Sequence, residues 1–200
     1  MNALALLRKD HRTVEALFKQ YERGNGGKKQ IVERISKELA IHTAIEEQLF
    51  YPAVRKASKG AKKRDEAEDE VLEALEEHHI VKWTLAELAK MSPSDERFEA
   101  KVTVLMESVR HHVKEEQEDL FPKVERLIDA AALRELGLAM EKAKKMAPTH
   151  PHPHVPDTPP GNIIAGGMAA MADKAGDLLA GLAARATKSA RKRLPRQLHS

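Results

Sequence analysis

The sequence predicts an all-α protein built from two equivalent pairs of helices. Ala, Leu, Glu and Lys dominate its composition, aromatic residues make up 4%, and Gly and Pro are sparse before residue 147, which favours helices over strands. Apolar residues recur at spacings of three and four along four stretches, as on the buried faces of helices. One motif also occurs twice, at 42–52 and at 112–122: a His, a Glu four residues later and a Pro ten residues later.

Each copy of this motif follows a segment that repeats as well. The segment around His11 corresponds to the segment around His78, so each half of the chain contains a His, a gap, and then His-x-x-x-Glu. Residues i and i+4 share one face of a helix, which directs each imidazole and the following carboxylate to the same place. Two such halves, placed face to face, would bring together four His and two Glu.

The first half is predicted to form two helices. An apolar stripe over residues 4–21 includes His11, and the glycine-rich residues 24–27 end this helix. A second stripe over residues 31–53 includes His42 and Glu46, which places both side chains on the inner face of the second helix.

In the third helix, predicted from about residue 65, the stripe selects one of two adjacent histidines. His78 is in register with the apolar residues of 71–88, whereas His79 lies on the flank with Trp83. Residues 92–95 are expected to stop this helix and cap the next one.

In the fourth helix, the apolar stripe again distinguishes between two adjacent histidines. Its stripe over 98–120 contains His112 and Glu116 and leaves His111 beside polar residues. Pro52 and Pro122, which close the two motifs, should kink or end their helices.

The sequence divides into three regions. The first, 1–147, contains the repeats and a final helical segment at 127–146 that is expected to pack outside them. A linker at 148–160 and an Ala-rich basic amphipathic tail at 161–200 follow. Lys+Arg and Asp+Glu number 27 and 28 in the first region, but 7 and 3 in 148–200. The tail could dock on the helices, pair two subunits as a homodimer, or lie on an anionic surface. The linker alternates Pro with His150, His152 and His154, which could bind metal weakly but are more typical of a stiff solvated spacer.

Several classes of protein are excluded. There is no Cys, and therefore no disulfide, iron–sulfur cluster, thiolate-bound zinc or Cys nucleophile. We find neither a signal peptide nor a run of apolar residues long enough to span a bilayer, and expect a soluble, cytoplasmic protein. One Trp, two Tyr and the lack of a recognisable DNA-binding motif argue against specific binding of nucleic acid.

The repeated His and Glu residues predict a site for two metal ions. Imidazole and carboxylate without thiolate suit iron in octahedral coordination. His11 and His42 would bind one iron, His78 and His112 the other, with Glu46 and Glu116 bridging both; manganese or zinc are alternative occupants. A lone buried His or Glu is more often a hydrogen-bonded core residue. Here, however, four His and two Glu residues recur at matched positions, and without metal they would leave unpaired carboxylates in an apolar core.

Four residues close to these in sequence have open roles. Glu47, Glu115 and Glu118 could orient ligands, although solvated helix charges are more common. Tyr51 is a packing residue by default and a candidate proton donor.

These residues resemble the hemerythrin-like, or HHE cation-binding, domain. The resemblance covers residues 1–147 and rests on four motifs in the same order: Asp-His11, His42-x-x-x-Glu46-Glu-x-x-Phe-Tyr-Pro52, Glu-His78, and His112-x-x-x-Glu116-x-x-x-Leu-Phe-Pro122. It implies an antiparallel up-down four-helix bundle with a non-haem di-iron centre that meets dioxygen, peroxide or nitric oxide. It also implies the six ligands, which are His11, His42, Glu46, His78, His112 and Glu116.

One departure from the family separates the functional hypotheses. Oxygen-carrying hemerythrins have a fifth His one turn from the third-helix His, where this chain has Ala74 and Lys82; His79 or another Glu could fill the position. A more open site favours turnover of a small ligand, most plausibly peroxide disproportionation in oxidative or nitrosative stress defence. The alternatives are an iron or oxygen sensor without turnover, and a module that binds an anionic surface through its tail.

Overall fold

The computed structural model describes residues 1–59, 66–156 and 158, and all regular elements in these ranges are helical. The all-α prediction is therefore confirmed. The helices are α1 (Ala3–Glu22), α2 (Lys28–Ile45), α3 (Tyr51–Ser58), α4 (Glu66–Lys90), α5 (Phe98–Glu115), α6 (Phe121–Leu127) and α7 (Ala130–Lys144). Two π-helical segments, Glu46–Phe50 and Glu116–Leu120, join α2 to α3 and α5 to α6 without a break.

Four long helical segments form the bundle: α1, α2 with α3, α4, and α5 with α6. Side chains from the start of α1, the α2–α3 junction, the start of α4 and the α5–α6 junction build one apolar cluster. The end of α1, the start of α2, the end of α4 and the start of α5 build a second one. Successive segments therefore run in opposite directions, and two apolar layers occupy opposite ends of the bundle.

The turn between α1 and α2 depends on glycine. Gly24 and Gly26 have φ angles of 67° and 115°, a left-handed backbone that residues with a Cβ rarely adopt. The turn between α4 and α5 is different, because the side chain of Asp95 accepts a hydrogen bond from Ser92 N (2.7 Å). Residues 92–95 thus stop α4 as predicted, but the predicted cap of α5 is wrong: Arg97 precedes that helix and makes no side-chain capping bond.

The two prolines do not end their helices. Pro52 and Pro122 lie at the starts of α3 and α6, directly after the π-helical segments. The wider π turn is marked by bonds from the N–H of Tyr51 to the carbonyl of Glu46, and from Phe121 to Glu116. A proline lacks an N–H and clashes with the carbonyl four residues earlier in an α-helix; a π-helical turn before it relieves that clash at both positions.

Helix α7 packs against α1 and α2, outside the four-helix arrangement. Asp129 begins it by accepting hydrogen bonds from Ala131 N (2.9 Å) and Ala132 N (2.8 Å). Gly137 permits a close approach: a Cβ added there would lie 2.4 Å from the carbonyl oxygen of Met1 and 2.7 Å from Ala3 N. Because backbone atoms cannot swing aside as a side chain can, only glycine fits.

The described part of the linker, 148–156, is not a solvated spacer throughout. Pro148, Pro151 and Pro153 are half-buried whereas the alternating histidines are exposed, and the ring of His154 lies 5.0 Å from that of Trp83. The predicted amphipathic tail, 161–200, lies outside the described residues. None of the described helices is long and apolar enough to cross a membrane.

Replacement of Gly137 by Ala should destabilise the protein by roughly 1–3 kcal/mol, because the new methyl group overpacks the contact between α7 and the start of α1. This sign is opposite to the usual gain of up to about 1 kcal/mol when a helical glycine becomes alanine. Urea denaturation with helical circular dichroism would measure the change. Leu138→Ala, at an exposed neighbour on α7, is the control and should shift the free energy of unfolding by less than about 0.5 kcal/mol.

Candidate metal centre

The six side chains predicted as ligands meet in one buried layer between the two apolar clusters. Each is at most 5% exposed, and each comes from the middle or the last turn of one of the four long segments. These residues are His11, His42, Glu46, His78, His112 and Glu116. His79 and His111 point elsewhere: His79 accepts a hydrogen bond from the Trp83 indole (2.9 Å), and the side chain of His111 is 62% exposed.

The histidines form two pairs that present their Nε2 atoms to each other. Nε2 of His11 lies 3.2 Å from Nε2 of His42, and the same distance separates His78 from His112. The Oε2 atom of Glu46 lies 3.1 Å from His42 Nε2 and 3.4 Å from His78 Nε2. This carboxylate therefore reaches one histidine of each pair.

Glu116 spans the two pairs from the other side. Its Oε2 atom lies 3.2 Å from His11 Nε2 and 3.8 Å from His112 Nε2. The atoms fall into two groups that could each hold a metal ion, and both groups include Glu46: His11, His42, Glu46 and Glu116 in one, Glu46, His78 and His112 in the other.

The other ring nitrogen of each histidine is engaged by a polar group outside this layer. His112 Nδ1 lies 2.7 Å from Glu77 Oε2 and His78 Nδ1 lies 3.1 Å from Glu47 Oε1. Asp10 stands 3.8 Å from His42 Nδ1, and the amide of Gln117 is 2.9 Å from His11 Nδ1. The three hydrogen bonds fix the orientation of the His11, His78 and His112 rings. Asp10 approaches His42 only to ion-pair distance, and neither of the two atoms has a hydrogen-bond partner among the described residues.

The same contacts determine where the protons are. A carboxylate only accepts hydrogen bonds, so Nδ1 of His78 and of His112 carries a proton, and Nε2 presents a lone pair whenever the ring is neutral. Nε2 of each of these two rings is directed at the other ring and at the carboxylates. A cation between them is the group that satisfies this arrangement, and the donor set of imidazole nitrogen and carboxylate oxygen fits iron.

The two central carboxylates are poorly satisfied by protein groups. Both oxygens of Glu46 and Oε2 of Glu116 are buried without a hydrogen-bond partner among the described residues. Burial and the adjacent Glu116 raise the pKa of Glu46 well above its usual value. Burial acts in the same direction on Glu116, but the His11 imidazole, whose Nε2 atom lies 3.2 Å from Oε2, and the charge of His112 lower its pKa to about 2. Without a cation, the layer holds one carboxylate ionised at the expense of the other.

Burial also keeps two of the imidazoles in the form that binds metal. It lowers the pKa of His42 to about 4, and burial together with the charge of His112 lowers the pKa of His78 well below its usual value. For His112, burial is outweighed by Glu116 and by the hydrogen bond with Glu77, which raise its pKa.

Lys82 occupies one of the two positions where oxygen carriers have their fifth histidine. Its side chain turns away from the buried layer of six His and Glu residues, which we call the metal layer. Its Nζ atom lies 2.7 Å from Oε1 of Glu47, and both residues are buried. The pair thus anchors the ring of His78 through Glu47. Of the three glutamates with open roles, Glu47 is a positioning residue, whereas the half-buried Glu115 and the exposed Glu118 pair with His111 and Lys114.

The sequence analysis missed three of the polar groups that hold the rings, which are Asp10, Glu77 and Gln117. A signal for them exists in the duplication. Asp10 and Glu77 each precede the first histidine of a half, and each supports the second histidine of the same half. Glu47 and Gln117 each follow a central glutamate and support the first histidine of the other half.

Tyr51 packs in the apolar cluster as predicted, and its hydroxyl also reaches the buried layer of His and Glu residues. The hydroxyl donates a hydrogen bond to Glu116 Oε1 (3.0 Å) and lies 3.4 Å from His78 Nε2. Burial and the charge of Glu116 raise its pKa well above the usual value, so the hydroxyl keeps its proton. The equivalent residue of the second half is Phe121, which stacks on His11 with ring centroids 6.0 Å apart.

Comparisons with known proteins identify a family and several relatives that are similar to this chain. The model of the hemerythrin HHE cation binding domain matches residues 2–124. An uncharacterized hemerythrin-like protein of Schizosaccharomyces pombe is 32% identical over 142 residues, which cover 71% of this chain and 68% of that protein. A DNA nickase of Nostoc sp. is 27% identical over 146 residues, 72% of this chain but 39% of the nickase.

A solved structure shows the same fold. The crystal structure of a hemerythrin HHE cation binding domain-containing protein from Mycobacterium kansasii superimposes with a TM-score of 0.60 at 24% identity, covering 72% of this chain and 86% of that one. The family match, the relatives and the helical bundle agree with the clustered His and Glu residues that could hold metal. The chain belongs to the hemerythrin HHE cation-binding domain family, whose domain binds metal ions.

Proposed function

We propose that this protein is a non-haem di-iron protein that turns over a small oxygen or nitrogen species, with hydrogen peroxide as the leading substrate. His11 and His42 would hold one iron, His78 and His112 the other, and Glu46 and Glu116 would bridge the two. The observation that carries this proposal is the convergence of imidazole Nε2 atoms on two buried carboxylates at 3.1–3.8 Å. Four protein donors per metal leave further octahedral positions for a small ligand.

The space beside the histidines favours a small ligand. An apolar cavity of about 10 Å³ borders all four of them, together with valines, Leu39 and Thr43. This volume is roughly what one water molecule needs. Dioxygen, peroxide and nitric oxide are of this size, whereas an organic substrate is excluded from the centre.

The chain's own residues would position and protonate the ligand. Two adjacent irons supply the two-electron redox chemistry that conversion of 2 H₂O₂ to O₂ and 2 H₂O requires. Tyr51 holds a proton at the edge of the layer, aimed at Glu116 Oε1. The apolar wall formed by Val14, Val81 and Val109 limits access of water.

The alternative within the same centre is a sensor of iron or oxygen that changes state without turnover. The two are separated by kinetics: an enzyme consumes many equivalents of peroxide per chain, whereas a sensor reacts once and stops.

The Nostoc relative supports a second candidate, metal-dependent nicking of DNA. Its name describes it as a DNA nickase, and 148–200 of this chain carries an excess of four basic residues. Supercoiled plasmid incubated with the iron-loaded full chain tests this. Relaxed circles that require both the metal and residues 161–200 would favour nicking over peroxide turnover.

Protein purified without added metal should contain two irons per chain, and Glu46→Ala and Glu116→Ala should each abolish stable loading of two because each removes a bridge. Metal analysis and the optical spectrum before and after peroxide measure this. Glu118→Ala, at an exposed residue two positions after Glu116, should load like the wild type. Full loading of either bridge variant would contradict the ligand assignment.

Glu47→Ala should weaken iron retention by about 10- to 100-fold, since it removes the acceptor that orients the His78 ring. Glu47→Gln keeps a carbonyl acceptor and should lose less. Competition with a chelator measures retention, and Glu33→Ala on the exposed face of α2 is the control. Equal retention in all four proteins would show that Glu47 does not support the centre.

Tyr51→Phe should leave two irons bound but slow peroxide consumption by about 100-fold, a typical contribution of a positioned proton donor. Tyr21→Phe is the matched control, because Tyr21 is also buried but belongs to the apolar cluster at the far end of the bundle. Oxygen evolution per iron is the readout. If Tyr51→Phe turns over peroxide at the wild-type rate, the hydroxyl has no part in proton transfer.

A further inference from the structure

An acidic cleft leads from the surface to the metal layer between α4 and the α5–α6 junction. Its volume is about 120 Å³. The cleft is bordered by Ala74, Leu120, His112 and six carboxylates, which are Glu70, Glu73, Glu77, Glu115, Glu116 and Asp119. No Lys or Arg lines it, although Lys123 pairs with Glu70 at one edge.

The inner end of the cleft is formed by two of the proposed ligands. His112 and Glu116 both border it, and Glu116 is 2% exposed with an Oε2 atom that accepts no hydrogen bond. The small side chain of Ala74, one turn before His78, leaves the space open. A cation in the cleft is therefore next to a buried carboxylate that lacks a partner.

Glu77 and Glu115, which line the cleft, belong with His111 to a second set of metal-binding groups, of which only His111 is exposed. Glu77, His111 and Glu115 each offer one ligand atom, and these atoms lie within 4.8 Å of one another. His111 Nε2 is 3.1 Å from Glu115 Oε1, while Glu77 also holds His112 Nδ1. This trio, which we call the outer site, includes an imidazole and is thus more selective for a transition metal than carboxylates alone.

A second cleft, between α1 and α5, provides a contrast. It reaches His11, but its charged lining is Arg12, Arg110 and Glu15, and Arg110 is held in place by Glu15 and Glu22. The basic groups at this opening disfavour the approach of a cation. The acidic cleft is the better route to the histidines.

We propose that Glu77, His111 and Glu115 bind a divalent cation at the mouth of the acidic cleft and deliver it to His112 and Glu116. The inference rests on the proposed two-metal centre. The cation changes neither its charge nor its oxidation state on this path; it exchanges water and carboxylate ligands for buried ones. Clefts lined by one sign of charge raise the local concentration of counter-ions and their rate of association.

Loading of the metal-free full chain with Co²⁺ tests the route without redox chemistry. The visible absorption of bound Co²⁺ reports uptake in stopped flow at low and high salt. The double variant His111→Ala/Glu115→Gln should bind the same two Co²⁺ in the buried layer at equilibrium, yet load them about tenfold more slowly at low salt and with a weaker dependence on salt. Glu107→Gln, at an exposed residue two turns earlier on α5, should behave like the wild type.

The possible outcomes distinguish a failure of the proposed entry route from a failure of the proposed two-metal centre. If the wild type binds no Co²⁺ in the buried layer, the proposed centre fails. If the wild type binds two but the double variant loads at the same rate with the same salt dependence, the centre stands and the route is wrong.

A second measurement examines the outer site directly. In protein whose two buried positions are filled with Zn²⁺, added Mn²⁺ should first broaden the ring-proton NMR signals of His111, and Glu115→Gln should raise the Mn²⁺ concentration required by about tenfold. Broadening that is no stronger at His111 than at His79 would overturn the proposed site.

Discussion

The structure depends on the repulsion between two carboxylates buried in one layer of an apolar bundle. Glu46 and Glu116 lie among four imidazoles, and burial lowers the pKa of two of them, His42 and His78. The imidazoles therefore do not neutralise both carboxylates. One consequence is the opposite displacement of their pKa values. Replacing this layer by apolar residues would suit stability better, and the His and Glu residues of the layer are the ones clustered closely enough that they could hold a metal ion.

The geometry of that layer is maintained by contacts that cross the duplication. Within each half, the residue before the first histidine supports the second; between the halves, the residue after the central glutamate supports the first histidine of the other half. Each half therefore depends on the other to orient its first histidine. The two halves therefore form a single site in which a change to one helix is felt by ligands on another.

The helical class and the six inward side chains could be predicted because each depends on a period that the sequence displays, whereas the direction of the helices was expected only from the family resemblance. His78 and His112 could be chosen over their neighbours since a helical stripe has only one register. Lys82 and Glu47 could not be assigned in this way: a buried Lys–Glu pair and a solvated one look alike until the partner helix is placed. The continuous helices through Pro52 and Pro122 were also missed, because periodicity does not distinguish a π-helical turn from a break.

The two halves differ beside the buried layer of His and Glu residues at the equivalent positions Tyr51 and Phe121. A small molecule between the two groups of His and Glu residues would meet a hydroxyl on one side and a hydrocarbon ring on the other. Although the fold repeats itself, it would therefore offer the two ends of a symmetrical molecule chemically different surroundings.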